Sequence, residues 1–217
     1  MKIKLIFTLF SILSIVPLLG QQKDSLKVDK SKREVLIGFD ILNAGSSFFS
    51  DRKMYQGYIT TKIKSKIFAS VDFGYDQNNY DKNGYDVDVT GFFAKIGGSY
   101  MLIEDPENKL NGFYIGPKVG ASFYQQEYFK VPIRGHEAGD YYVSYPQSSQ
   151  TSVWIEAVIG GRIQLFDSNF FIDVQVQPRY LLLGSKQDDL EPMVIPGFGK
   201  ASSGFNMGFA WNIAYKF

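Results

Sequence analysis

Acid–base catalysis usually recruits an imidazole, and this chain of 217 residues carries one, His136. Glu137 and Asp140 lie beside it, and Ser144, Ser148 and Ser149 follow, a set that could in principle activate a hydroxyl or a water for acyl transfer or hydrolysis. The spacing matches no catalytic motif, and the surrounding composition reads as a polar loop rather than a rigid element. The chain is therefore expected not to be an enzyme. Metal chemistry is equally poorly supplied, because one His with scattered carboxylates does not make a transition-metal site. Asp76, Asp81, Asp86 and Asp88 could hold calcium, but their spacing is not that of a calcium-binding helix–loop–helix, so they are expected to be solvated. There is no cysteine, which removes disulfides, thiolate chemistry and lipid attachment at an N-terminal Cys. Without a phosphate-binding loop or nucleotide motif no cofactor is expected, and a net charge of +1 argues against a nucleic-acid partner.

The remaining ionisable residues of interest are Asp40, Asp72, Lys95, Lys118, Glu156, Arg162, Asp173, Arg179 and Lys216. Each is set among large apolar residues that recur at every second position. The clearest such stretch is Ser203–Phe217, where Phe205, Met207, Phe209, Trp211, Ile213, Tyr215 and Phe217 alternate with Gly204, Asn206, Gly208, Ala210, Asn212, Ala214 and Lys216. Period-two alternation is the mark of a β-strand. Seven successive bulky side chains on one face of a terminal strand ask for an apolar partner, and in a transmembrane barrel lipid supplies it. The closing Phe217 also resembles the C-terminal assembly signal of bacterial outer-membrane barrels.

The same alternation marks strands at about 34–42, 54–63, 67–75, 87–102, 112–124, 152–165 and 170–183. With the terminal strand this makes an all-β, eight-stranded antiparallel up-and-down transmembrane β-barrel over 34–217. Connections at 43–53, 76–85, 125–151 and 184–202 read as long loops, and those at 64–66, 104–110 and 167–169 as shorter turns. Outer-membrane barrels show this order, with long extracellular loops and short periplasmic turns. Pro117 and Pro178 fall inside strands, where each removes a ladder donor, and mark a bulge or a rim. Ahead of the barrel, residues 1–20 have the basic start and apolar run of a signal peptide, and 21–33 form a charged periplasmic lead-in. Mean hydropathy of -0.12 hides all of this from a helix-based scan.

Alternation alone does not decide which face is inside. A secreted lipocalin-like barrel would turn its apolar face inward around a ligand and leave the charges in water. In the membrane orientation, which the terminal Phe217, the aromatic last strand and the loop order favour, the charges fill the lumen. Four acids then face five bases, and a lumen of eight strands is only wide enough for side chains, so a structural network is expected in place of a pore. Tyr128, Phe129, Tyr141, Tyr142 and Tyr145 cluster in the longest loop. They read either as an extracellular contact surface or as rings packed on one another.

Several local runs resemble a family of small outer-membrane barrels of Bacteroidota. They are Val153, Trp154, Ile155 and Glu156 with Gly160 and Gly161, then Asn169, Phe170 and Phe171, then Ile195, Pro196, Gly197, Phe198 and Gly199. The resemblance carries no catalytic residue. It implies an outer-membrane location, contact with outer-membrane lipid, and partnership with a surface lipoprotein or a larger envelope complex, barrel-assembly machinery included. Expected roles are thus a structural or accessory subunit first, a free-standing adhesin second and a lipid-modifying rim enzyme third.

Overall fold

The computed structural model describes residues 34–133, 141–187 and 190–217; the signal peptide and lead-in expected at 1–33, and His136, Glu137 and Asp140, lie outside the described residues. Eight antiparallel strands close into a ring. In chain order they are β1 (Val35–Asp40), β2 (Arg52–Lys64), β3 (Ile67–Lys82), β4 (Tyr85–Glu104), β5 (Gly112–Ile133), β6 (Tyr141–Gln164), β7 (Phe170–Gly184) and, after a short pair β8 (Val194–Ile195) and β9 (Gly199–Lys200), β10 (Phe205–Lys216). Each strand pairs with its neighbours in sequence and β10 returns to β1, from Leu36 opposite Lys216 to Asp40 opposite Asn212. The architecture is the up-and-down barrel that the alternation predicts.

The polar face is inside. Along β10, Gly208, Ala210, Asn212 and Ala214 are buried while Phe205, Met207, Phe209, Trp211 and Ile213 are exposed. The same holds around the ring: Ile59, Phe73, Phe92, Ile96, Val119, Ile155 and Val174 face outward, and Asp72, Lys95, Lys118, Glu156 and Asp173 face inward and are buried. A folded protein in water hides such side chains; here the apolar belt is the outer surface.

Among the strands of the ring and their connections, three departures from the sequence-based expectation stand beside that of the segment after β7, described below. The stretch 76–85 is not a loop, because β3 and β4 stay paired as far as Lys82 opposite Tyr85. They are joined by Asn83 and Gly84, both in the left-handed region at φ 57° and 82°, as a two-residue hairpin requires. Likewise 125–151 is largely strand: β5 and β6 continue paired to Ile133 opposite Tyr141 and rise beyond the ring as a hairpin. Finally, β1 stops at Asp40, and residues expected to finish it form a short helix, α1 (Ile41–Ser46). Asp40 caps that helix, its Oδ1 accepting the N–H groups of Leu42 and Asn43 at 3.1 and 3.2 Å.

Both prolines sit within the wall. Pairing of β4 with β5 lapses between Gly97–Lys118 and Tyr100–Ile115, around Pro117. That of β6 with β7 lapses between Glu156–Arg179 and Ile159–Val176, around Pro178, since neither proline can donate.

The interior is layered. At the end that carries the long β5–β6 hairpin, Met54, Val87, Phe93, Tyr124, Trp154, Ile195 and Phe198 form one apolar cluster; at the other end Leu36, Tyr58, Phe68, Met101, Leu110, Tyr114 and Phe171 form a second. The charged side chains lie between.

Candidate functional site

The charged layer follows from cross-strand register and from two inward glycines. Arg162 stands opposite Asp173 and Glu156 opposite Arg179, and both pairs form ion pairs, Nε to carboxylate at 2.7 and 3.1 Å. The other two pairs skip a strand. Lys95 is opposite Asp72 and Lys118 opposite Glu156. Yet Lys118 reaches Asp72, with Nζ donating to both oxygens at 2.7 and 2.8 Å, and Lys95 reaches Glu156 at 3.3 Å. The exchange is possible because Gly97 lies beneath the Lys118 stem, where a Cβ would come within 2.6 Å of Cγ. Gly120 similarly makes room for the Trp154 ring, whose Nε1 donates to Glu156 at 3.3 Å.

A ladder along β7 joins these pairs. Arg179 donates to Gln177, Gln177 to Gln175 at 2.7 Å, and Gln175 to Asp173 at 3.0 Å. Asp173 also accepts from Tyr114 at 2.6 Å and Tyr58 at 3.3 Å, so four strands meet on one carboxylate. A cavity of about 10 Å³ lined by Tyr58, Tyr114, Lys118, Arg162 and Gln175 has room for no more than a water.

Asp40 and Lys216 stand apart from this layer. Asp40 is fully buried but serves α1 and the Trp211 N–H, at 3.3 Å. Lys216 is at the opposite rim, pairing with Glu34 at 3.2 Å, and Lys62 joins the same carboxylate at 3.6 Å.

The segment after β7, expected to be a polar surface loop, turns back into the barrel. Ile195 and Phe198 are fully buried, and Phe198 packs edge-on against Trp154 at 6.0 Å. Arg179 Nη1 donates to the Phe198 carbonyl at 3.1 Å, and the Gly197 N–H donates to Asp76 at 3.1 Å. Asp76 is therefore no solvated loop charge: it is buried and also takes Arg52 Nε at 2.9 Å. At the other end the 105–111 turn sends Leu110 into the lumen, fully buried. Both mouths are thus corked by apolar side chains above and below the ions.

The five aromatic residues of the long hairpin divide. Tyr128 is buried, meets Tyr145 edge-on at 6.2 Å and donates to the Glu191 carbonyl at 3.2 Å. Burial, with Tyr124 and Tyr85 nearby, pushes its phenol up to about 12, so it stays a donor at neutral pH. Phe129, Tyr141 and Tyr142 are exposed. Ser144, Ser148 and Ser149 are strand residues of β6. At the terminus, Phe217 stacks edge-on against Tyr215 at 4.9 Å and its N–H donates to the Val35 carbonyl at 2.9 Å. Among the described residues no group of three or more His, Asp or Glu side chains could hold a metal.

Sequence reasoning passed over Tyr58, Tyr114 and the Arg52–Asp76 pair. The two tyrosines carry a readable signal, an inward phenol beside inward small or polar residues, Gln56 and Thr60 next to Tyr58 and Gly116 next to Tyr114. Asp76 carries none, since its partners come from β2 and from the infolded segment.

Comparison with curated proteins finds no match. Among solved structures the chain is similar to the N-terminal β-barrel domain of Pseudomonas aeruginosa OprF, at 13% identity and a TM-score of 0.37, over 85% of this chain and 97% of that one. The model of the family DUF6048, described as a domain of unknown function, matches residues 1–217. Matched over its whole length, the chain belongs to the DUF6048 family.

Proposed function

We propose that this chain is an integral outer-membrane barrel that neither conducts nor catalyses, and that it serves as a structural or accessory subunit of an envelope complex. One observation carries the reading: an apolar outer belt surrounds a lumen filled by paired ions and corked at both ends. Exposed Ile, Phe and Val around a whole ring are costly in water and favourable in hydrocarbon, and closure of the ring satisfies every strand edge but one short seam. A filled lumen leaves the outer wall and the rims as the surfaces available for work. Exposed Phe129, Tyr141 and Tyr142 favour a second reading, in which the projecting hairpin binds a partner on its own as an adhesin.

The test begins with fractionation and a heat-modifiable gel shift, expected to place a folded barrel in the outer membrane. Gentle detergent extraction, native sizing and mass spectrometry then separate the two readings. A stoichiometric partner supports the accessory subunit, and a lone barrel shifts weight to the adhesin. Recovery in the soluble fraction defeats both.

A further inference from the structure

The ring is incomplete over part of its height. Below, β1 lies between β2 and β10, paired to each. Above Asp40 it is gone, while β2 continues upward through 52–56 on β3, and β10 through 205–211 on β7. A seam one strand wide, about 10 Å between the flanking strands, therefore opens in the upper wall. Open edges are not tolerated in hydrocarbon. Here α1 covers the gap, and side chains stand in for a missing strand. Asn43 Nδ2 donates to the Phe209 carbonyl at 3.0 Å, Asp40 accepts the Trp211 N–H, and Ser47 Oγ accepts the Met54 N–H at 2.9 Å.

The cover is weakly held. Six residues are too few for an independently stable helix. Asn43, Gly45 and Ser46 are poor helix formers, and no residue of α1 is buried. What the seam recognises is backbone, because both flanking edges present N–H and C=O groups, which an acyl chain cannot answer. Beside it, the inward residues of β10 are small or polar, Asn206, Gly208 and Ala210, and the outward ones are bulky. A strand completing the wall must follow the same alternation.

We propose that this seam is a docking site for an extended segment of a different polypeptide, alternating bulky and small or polar residues, which displaces α1 and continues the column of β1. The inference rests on the outer-membrane, accessory-subunit reading above and names the surface that reading leaves open.

The test uses the full chain in its native outer membrane, with photoreactive benzoylphenylalanine at Tyr55 and Phe209 flanking the seam, and at Phe92 and Phe123 across the ring as controls. The expected result is adducts at both seam positions with one partner chain, through a partner peptide of period-two alternation, and none at the controls. Asn43→Ala, which unties α1 from Phe209, is expected to raise the yield severalfold. Gly45→Ala, where a Cβ meets nothing within 4 Å, is expected to firm the helix and lower it. Adducts with lipid alone, with a second copy of this chain, with a segment lacking alternation, equally at the controls, or not at all, overturn the proposal. A heat-modifiable gel shift reports that each variant is folded. Absence of the chain from the outer membrane defeats the reading beneath the proposal; presence there without seam adducts defeats the proposal alone.

Discussion

Glu156 is the residue on which the lumen depends most, since Lys95 and Arg179 both rely on it. Glu156→Ala would strand two buried cations, and a loss of roughly 3–5 kcal/mol is expected, read as a fall in the urea midpoint of the detergent-folded barrel. Glu156→Gln should cost less, because its amide oxygen still accepts. Gly120→Leu tests the glycine logic: a Cβ there would lie 2.2 Å from the Trp154 ring, so overpacking of roughly 1–3 kcal/mol or more is expected in the same measurement. At this scale the sequence is half readable. That Lys95, Lys118, Glu156 and Arg179 share the face opposite the bulky residues follows from alternation, and Phe217 with the loop order turns that face inward. Which charge meets which does not follow, because the Lys118–Asp72 contact passes over β4 and depends on Gly97.

At the scale of elements, the infolded segment 193–201 is the least expected feature. Phe198→Ala should destabilise by roughly 3–5 kcal/mol, as for other buried aromatic truncations, measured by thermal melting in detergent. Replacing the whole segment with a flexible linker should still yield no conductance in planar bilayers, since the ion layer beneath stays closed; open-channel steps would contradict that account. The strands themselves are legible, because alternation survives wherever one face meets the apolar belt. It fails where that belt ends: β3–β4 beyond Tyr75 and β5–β6 beyond Tyr124 run on with Asn, Gln, Ser and Asp, which read as loop. The infolded segment is invisible for another reason. Ile195 and Phe198 have no period, and Pro196 and Gly197 between them are the usual marks of a surface turn.

For the molecule as a whole, the projecting hairpin separates packing from contact. Tyr141→Ser with Tyr142→Ser should leave stability within about 0.5 kcal/mol, both rings being exposed, so any loss of partner binding in a pull-down is assigned to the surface itself. Removing Tyr128 would not allow that assignment, since it is core. The ion pairs that join one hairpin to the next have one more consequence, for biogenesis. On the outer-membrane reading, a β3–β4 hairpin entering the bilayer alone would hold Asp72 opposite Lys95 and a β5–β6 hairpin Lys118 opposite Glu156, but β6 would also carry Arg162, whose acid Asp173 lies on β7; Asp173 gathers donors from β2, β5 and β6 only after those strands have met. Insertion of β5–β6 ahead of β7 would expose the Arg162 charge to hydrocarbon without its acid. Insertion is therefore expected to be concerted, with strands crossing together and spontaneous entry into pure lipid slow, so that a catalyst of assembly gives this barrel a large kinetic advantage.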